Sequence, residues 1–155
     1  AQDTKFYLTE NERNMQIELA DFNNKLVDNG VRLNVDDIYT LKVTQVYDLD
    51  SGDELYYKVQ LINDDVTYET VLFEVYVNEH FKNKKILQDE PIEGSIHNTP
   101  LKYNLKISDD DWAFVINYTA MIEYKNISIY INYEQLSLDE NSNFFVFLAQ
   151  TIELT

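Results

Sequence analysis

The residues of this chain that are best suited to chemistry are the carboxylates of segment 48–54. They place side-chain oxygens at nearly alternate positions, as in loops that surround Ca²⁺, at Asp48, Asp50, Asp53 and Glu54. Gly52, however, comes one position too early for an EF-hand loop, and Val59 occupies the twelfth position, where a bidentate glutamate belongs. We therefore interpret the segment as an exposed acidic turn, and we expect neither a metal ion nor another cofactor.

A second group of carboxylates could act in acid–base catalysis. The run Asp109–Asp111 precedes Trp112, which places acids beside an aromatic platform, as a glycosidase would. Three adjacent aspartates are also typical of a solvated turn. The chain has two histidines and no cysteine, and it lacks a Gly-rich phosphate loop, a nucleophile elbow and a histidine pair at metal-ligand spacing. The sequence therefore predicts a non-enzymatic protein, with a small carboxylate-dependent hydrolase as the alternative.

Composition limits the kinds of partner. The chain has 155 residues and a formal net charge of −16, which repels nucleic acid and anionic membranes and attracts basic protein surfaces. Because 45% of its residues are hydrophobic and 14% aromatic, we expect a single soluble domain over residues 1–155 with a substantial core. No apolar run approaches the length of a membrane span. We expect a protein partner with a basic surface, and no direct binding to nucleic acid or membrane.

Composition also bears on origin. The absence of cysteine excludes a disulfide scaffold and favours a reducing compartment, while a first residue other than Met leaves a secreted mature form open. Abundant Asn, Ile, Tyr and Lys with few Arg are typical of AT-rich genomes, such as those of phages and large viruses. We therefore expect a phage or viral protein, located in the cytoplasm or the virion.

The first strong segment, Thr9–Gly30, predicts an amphipathic helix. Thr9 and Glu12 have the spacing of a capping box, and apolar residues recur at helical spacing at Met15, Leu19, Phe22 and Leu26. Gly30 suits a C-terminal cap. A strand remains the alternative, because Met15, Ile17 and Leu19 also alternate with polar residues.

From Ile38 onward, the apolar period changes to two, which indicates strands. The apolar faces of the first three strands are Leu41, Val43 and Tyr47; Leu55, Tyr57, Val59 and Leu61; and Val71, Phe73, Val75 and Val77. Antiparallel pairing predicts the pairs Tyr47–Leu55, Val43–Val59 and Leu41–Leu61, then Val59–Val71, Tyr57–Phe73 and Leu55–Val75. A register shifted by one residue would turn these side chains to water. Because both hairpins place their apolar side chains on the same face of the sheet, the pattern supports an antiparallel meander.

The second half of the chain repeats this alternation. It predicts strands over Leu101–Ile107, Trp112–Tyr124 and Ile127–Tyr133, separated by a polar break at Ser108–Asp111 and a two-residue turn at Lys125–Asn126, with Tyr118 opposite Tyr133. A helix over 109–125, capped by Ser108, is the competing interpretation. A last strand is predicted over Phe144–Ile152. The fold class is therefore mainly β (α+β): an antiparallel β-sandwich or curved meander sheet of about seven strands with one N-terminal helix.

Residues 79–100 interrupt the pattern. No period is sustained between Asn78 and Pro100, and this stretch contains both histidines, His80 and His97, and the basic cluster Lys82, Lys84 and Lys85. A long connection without regular structure in a compact domain is usually functional or disordered. We predict a long internal loop, either a binding loop that uses the lysines or a solvated crossover between two sheets.

Acidic turns interleaved with tyrosines form the predicted binding surface. Carboxylates gather in several turns, above all at 48–54, and the strand faces opposite the core carry Tyr56, Tyr68 and Tyr76. Tyrosine is an efficient anchor at protein interfaces, and carboxylates steer a basic partner. The alternative is that acidic turns only keep the sheet soluble and its edges unpaired. We predict a non-enzymatic protein-binding module that assembles with or inhibits another protein.

A helix followed by an antiparallel meander, with Gln45-Val46 near a hairpin and then Tyr56-Tyr57-Lys58-Val59, resembles a cystatin-type protease inhibitor over residues 9–78. The resemblance implies a protease as the partner. Such inhibitors insert a small, Gly-containing hairpin tip into the protease cleft, whereas this chain has the acidic segment 48–54 and no Pro-Trp pair after it. We therefore keep protease inhibition as an alternative function, and the resemblance assigns no inhibitory role to any residue of this chain.

Overall fold

The computed structural model describes residues 12–63, 68–77, 87, 90–138 and 142–155. Its helices and strands are, in chain order, β1 (Glu12–Ile17), α1 (Leu19–Leu26), β2 (Val31–Leu33), β3 (Thr40–Asp48), β4 (Glu54–Asn63), β5 (Glu69–Tyr76), β6 (Ile92–Ile96), β7 (Thr99–Asp110), β8 (Ala113–Tyr124), β9 (Ile127–Ser137), α2 (Phe144–Thr151) and β10 (Ile152–Leu154). A short 3₁₀ turn, Val27–Asn29, follows α1. The fold is mainly β, as the alternation of apolar residues predicted.

Eight of these strands form one open antiparallel sheet, in the order β1-β3-β4-β5-β9-β8-β7-β6. It consists of two meanders, one from each half of the chain, which meet at the ladder between β5 and β9. The short strands β2 and β10 form a second, two-stranded sheet, in which Leu33 faces Ile152. Of the two predicted architectures, the chain therefore adopts the meander sheet.

The strand pairing confirms the predicted faces but only part of the register. Leu41 faces Leu61 and Val43 faces Val59, as predicted, whereas a bulge after Val46 pairs Tyr47 with Glu54 and not with Leu55. Between β4 and β5 the predicted pairs are wrong by two residues, because Val59 faces Phe73 and not Val71. A shift of two residues keeps every side chain on its face, so alternation alone cannot detect it.

One face of the large sheet carries the main core. Both helices and the small sheet lie on this face and bury the aliphatic rows of the central strands. The ring of Phe144 in α2 stacks on Tyr118 with centroids 4.1 Å apart, and Phe22 in α1 meets Tyr57 edge-on at 5.2 Å. Burial of these large aromatic side chains provides much of the hydrophobic driving force for folding.

The predicted N-terminal helix is only partly correct. Its C-terminal half forms α1, but residues 12–17 form β1, which pairs with β3 so that Ile17 faces Val43. Residues 9–11 lie outside the described part of the chain. Pairing with the edge of β3 decides the conformation of a segment whose local pattern fitted either structure.

Gly30 ends the helical segment, as predicted. Its φ of 75° is left-handed, and a Cβ at this position would lie 2.5 Å from the Thr155 carbonyl oxygen. Both the conformation and the close approach favour glycine here.

The last predicted strand, Phe144–Ile152, is wrong. Helix α2 occupies almost all of this segment, and β10 begins only at Ile152. The buried residues of α2 have the spacing of one helix face: Phe144, Phe147, Leu148 and Thr151. The single predicted N-terminal helix is thus joined by a second helix near the C-terminal end.

The strands of the second half are confirmed, with altered ends. Tyr118 faces Tyr133, and β8 replaces the competing helix over 109–125. β7 extends through the predicted polar break to Asp110, so Trp112 lies in the β7–β8 turn and not in a strand. β6 lies within the predicted loop 79–100, of which residues 79–86, 88 and 89 are outside the described part. None of the described helices is long and apolar enough to cross a membrane.

Candidate functional site

The acidic turn joins β3 to β4, and its backbone is internally hydrogen-bonded. The Gly52 N–H donates to the Asp48 carbonyl at 2.8 Å, and the Asp48 N–H donates to the Asp53 carbonyl at 2.9 Å. The Asp50 N–H donates to the Asp48 carboxylate at 2.9 Å. Because these main-chain groups are satisfied within the turn, its exposed side chains are what it offers to a partner.

A shallow hollow of about 250 Å³ lies beside this turn, lined by Arg13, Met15, Tyr47, Asp48, Leu49 and Gly52. Its apolar members are accessible, since Met15 is 43% and Leu49 53% exposed. We call the hollow, together with the exposed carboxylates of Asp50 and Asp53, the turn surface. An apolar centre bordered by polar groups is the usual anatomy of a protein interface.

Glu54, the fourth predicted carboxylate, belongs to a polar cluster beneath the turn. It accepts hydrogen bonds from Gln45 Nε2 at 2.6 Å and from the Tyr57 hydroxyl at 3.0 Å, and Lys25 Nζ lies 3.6 Å away. The Gln45 amide oxygen in turn accepts from the Tyr47 hydroxyl at 2.6 Å. We call these five residues the Glu54 cluster. It links α1, β3 and β4, and it fixes the ring of Tyr47, which lines the hollow.

The electrostatics of this cluster keep Tyr57 neutral. Burial, with the nearby Glu54 carboxylate as the second cause, raises the pKa of Tyr57 well above its ordinary value. The neutral hydroxyl can therefore donate to Glu54 throughout the physiological pH range.

The predicted tyrosine anchors differ in accessibility. Tyr56 and Tyr76 lie on the sheet face opposite the main core, as predicted, but they are buried there and stack with ring centroids 5.1 Å apart. The Tyr76 hydroxyl donates to Glu74 at 2.6 Å, and Lys58 Nζ lies 5.7 Å from the ring centre of Tyr56. Tyr68, between β4 and β5, is exposed. The structure therefore brings neither Tyr56 nor Tyr76 to the turn surface.

The remaining predicted residues are divided between two regions. Lys82, Lys84 and Lys85, with His80, lie outside the described residues. His97 lies in the tight β6–β7 turn, where its Nε2 is 2.9 Å from the Ala149 carbonyl and 2.8 Å from the Ile152 carbonyl. It therefore ties this turn to the end of α2.

The aspartates considered for catalysis lie at the far end of β7. Asp109 is exposed near the end of the strand, and Trp112 is 71% exposed in the following turn. Within the described ranges, no group of three or more His, Asp or Glu residues has a geometry that could hold a metal ion.

Sequence reasoning missed a buried carboxylate at Glu69. It accepts hydrogen bonds from the hydroxyls of Tyr133 at 2.7 Å and Tyr39 at 3.2 Å, and burial raises the pKa of both tyrosines. The available signal was a charged residue on the same strand face as Val71 and Phe73. We assign this group a structural role, because the carboxylate is buried and bonded to the two hydroxyls.

A larger cleft of about 590 Å³ lies near the opposite edge of the sheet. Its lining includes apolar Leu87, Pro91 and Met121 and the charged residues Glu93, Lys102 and Glu123. Lys102 leaves this cleft with a formal charge of −1, whereas the turn surface keeps −2, because Arg13 offsets only one of its three aspartates. The cleft is therefore less suited to a basic partner than the turn surface is.

Comparison with protein-family models, curated proteins and solved structures gave no significant match. The resemblance to cystatin-type inhibitors therefore stays a hypothesis based on element order, and the geometry described above carries the functional argument.

Proposed function

We propose that this protein is a non-enzymatic protein-binding module that recognises a basic partner with the turn surface. The observation that carries the proposal is the coincidence of three carboxylates, at Asp48, Asp50 and Asp53, with the accessible apolar side chains of Met15 and Leu49. The carboxylates would steer a cationic surface toward the turn, and the apolar pair would supply contact area once water is displaced.

The Glu54 cluster supports this role because it fixes the base of the turn. A hydrogen-bonded turn on a partly buried polar support loses little conformational freedom on binding, and preorganisation of this kind favours affinity. Tyr47, fixed by its hydrogen bond to Gln45, supplies an aromatic wall to the hollow.

We extend the proposal to a phage or viral protein that assembles with or inhibits another protein. This extension is based on the amino-acid composition, which is rich in Asn, Ile, Tyr and Lys and poor in Arg. A protease is one possible target class, as the cystatin resemblance implies, and the acidic tip then requires a protease with a basic cleft entrance.

The test is to immobilise the full chain and to measure which proteins it retains from lysates of candidate hosts. The binding variant is Asp48→Asn/Asp50→Asn/Asp53→Asn. The matched control, Asp21→Asn/Asp28→Asn/Asp37→Asn, removes the same charge at exposed positions elsewhere. We expect the binding variant to lose the retained partner and the control to keep it. Equal retention by both variants, or retention that does not weaken as NaCl is raised, would contradict the proposal.

A further inference from the structure

In the described part of the chain, only part of the outer edge of β7 is paired with another strand. β6 pairs with the first five residues of β7, Thr99–Tyr103, whereas β8 pairs with almost the whole strand, as far as Asp110. Among the described strands, none pairs with the outer side of residues 104–110. An uncovered strand edge is a template for the addition of another strand.

The turns at both ends of β7 determine which main-chain groups face outward. Each turn has two residues, so its flanking pairs, Ile96–Thr99 and Asp110–Ala113, are hydrogen-bonded pairs of their ladders. The main-chain groups of successive residues point alternately to the two sides of the strand, and counting from either turn assigns the same residues to the outer side. The N–H and C=O groups of Leu105, Ile107 and Asp109 point away from β8, toward the open edge.

The side chains of this edge are suited to contact with a similar strand. Leu105 and Ile107 are 40% and 41% exposed on one face. The open segment 104–110 contains Lys106, Asp109 and Asp110, so its formal charge is −1, while the whole chain carries −16. Two such segments repel one another only weakly, and most of the repulsion between two copies comes from the net charge of the rest of the chain.

We propose that two copies of this chain pair through residues 104–110 of β7, antiparallel and about a two-fold axis at Ile107. This register uses the full length of the open edge. It places Ile107 opposite Ile107 of the second copy and Leu105 opposite its Asp109, as hydrogen-bonded pairs that each exchange two N–H···O bonds.

The same register explains a second observation, the exposure of Trp112 and Ile92. In the paired sheet, the β7–β8 turn of one copy ends where β6 of the other copy begins. Trp112 thus comes next to Ile92 of the second copy, and two exposed apolar side chains on separate elements acquire a partner. A strand from a different protein would satisfy the main-chain groups of residues 104–110 equally well. It would, however, leave the exposure of Trp112 and Ile92 unexplained.

The absence of cysteine from the chain allows a direct test of the register. In Ile107→Cys, the two cysteines face each other with Cα atoms about 5.5 Å apart, which suits a disulfide. In Leu105→Cys, they are separated by about 13 Å along the strand. We expect mild oxidation to convert Ile107→Cys to a covalent dimer at least tenfold faster than Leu105→Cys and than Ile38→Cys, an exposed control. Equal rates, or faster reaction of Leu105→Cys, would overturn the proposal.

Sedimentation of the cysteine-free chain over a range of concentrations measures the dimer itself. We expect Ile107→Lys, which places two ammonium groups across the axis, to weaken dimerisation about 10- to 100-fold, and Ile38→Lys to leave it unchanged. We also expect NaCl to strengthen the dimer, because salt screens the repulsion between two acidic copies. A chain that stays monomeric, or a dimer indifferent to Ile107→Lys, would refute the inference. Either result leaves the proposed function intact, since the turn surface lies on a different part of the sheet.

Discussion

The two margins of the large sheet expose different parts of the chain to a partner. At the β1–β3–β4 margin, the acidic turn satisfies its own main chain and displays side chains with an excess of negative charge. At the β7 margin, segment 104–110 carries a formal charge of only −1, and none of the described strands pairs with its outer main-chain groups. A single sheet can thus separate recognition by charge from recognition by backbone pairing. The opposite salt dependence expected at the two margins follows from this difference.

The largest expected effect is a difference in stability between two proline variants of β7, one at an inner and one at an outer main-chain N–H. Lys106→Pro removes an N–H that bonds to β8, whereas Ile107→Pro removes one that faces the open edge. We expect the free energy of unfolding to fall by about 3 kcal/mol in Lys106→Pro and by about 1 kcal/mol or less in Ile107→Pro. Urea unfolding at concentrations where both variants are monomeric measures the difference. Equal losses would mean that the edge of β7 is not open as described.

The stability of the β1–β3–β4 margin, which carries the acidic turn, should depend on the buried polar groups of the Glu54 cluster. Gln45→Leu removes the acceptor of the Tyr47 hydroxyl and a donor to both Glu54 and the Tyr57 hydroxyl, while the hydrogen bond from Tyr57 to Glu54 remains, so we expect a loss of about 2 kcal/mol in unfolding free energy. Gln60→Leu, an exposed change of the same type on the neighbouring strand, should cost about 0.5 kcal/mol or less. Similar costs for both variants would show that the cluster does not support the turn.

Alkaline pH should lower the free energy of unfolding through the ionisation of Tyr57. Its pKa in the folded state is raised above the ordinary value of 10.0, so the stabilisation is complete below pH 10 and is lost as pH rises further. The loss from this residue should be at most about 1.4 kcal/mol per pH unit. Urea midpoints measured from pH 8 to 11.5 should decline less steeply in Tyr57→Phe than in the wild type. An unchanged slope would contradict the assignment.

The smallest expected effect concerns the apolar part of the turn surface. Leu49→Ala should weaken binding of the basic partner about fivefold without changing stability, because Leu49 is exposed in the free chain. Val27→Ala, an apolar change on the 3₁₀ turn at a position that is 63% exposed against 53% for Leu49, serves as the control. Titration of the retained partner measures both variants. If Leu49→Ala binds as the wild type does, charge alone accounts for recognition at this margin.

Much of the fold follows from the alternation of apolar residues, but strand neighbours do not. Alternation assigns Val59 and Phe73 to the core face, yet it cannot choose between registers that differ by two residues. The pattern around Met15 fits a helix or a strand, and only the edge of β3 decides between them. In Phe144–Thr151, a dense apolar run concealed helical spacing, since its exposed positions are also largely apolar.

The candidate site was predictable only in part, for the same reason. The carboxylates of the acidic turn are evident in the sequence, and Asp50 and Asp53 are exposed as expected, whereas Asp48 and Glu54 are partly buried. Met15 could not be assigned to the turn surface without knowing that β1 lies beside β3. The open edge of β7 could not be predicted from the sequence either. It depends on the short length of β6, which lies within a segment that was predicted to be a loop.

The meeting of two meanders at β5 and β9 has a consequence for the kinetics of folding. Hairpins within each half join neighbouring segments and should form within microseconds. The ladder that pairs Val71 with Tyr133, and the one that pairs Leu33 with Ile152, must instead close long stretches of chain against their entropy. We therefore expect the rate-limiting step of refolding to be the docking of two preformed halves, with the small sheet closing last.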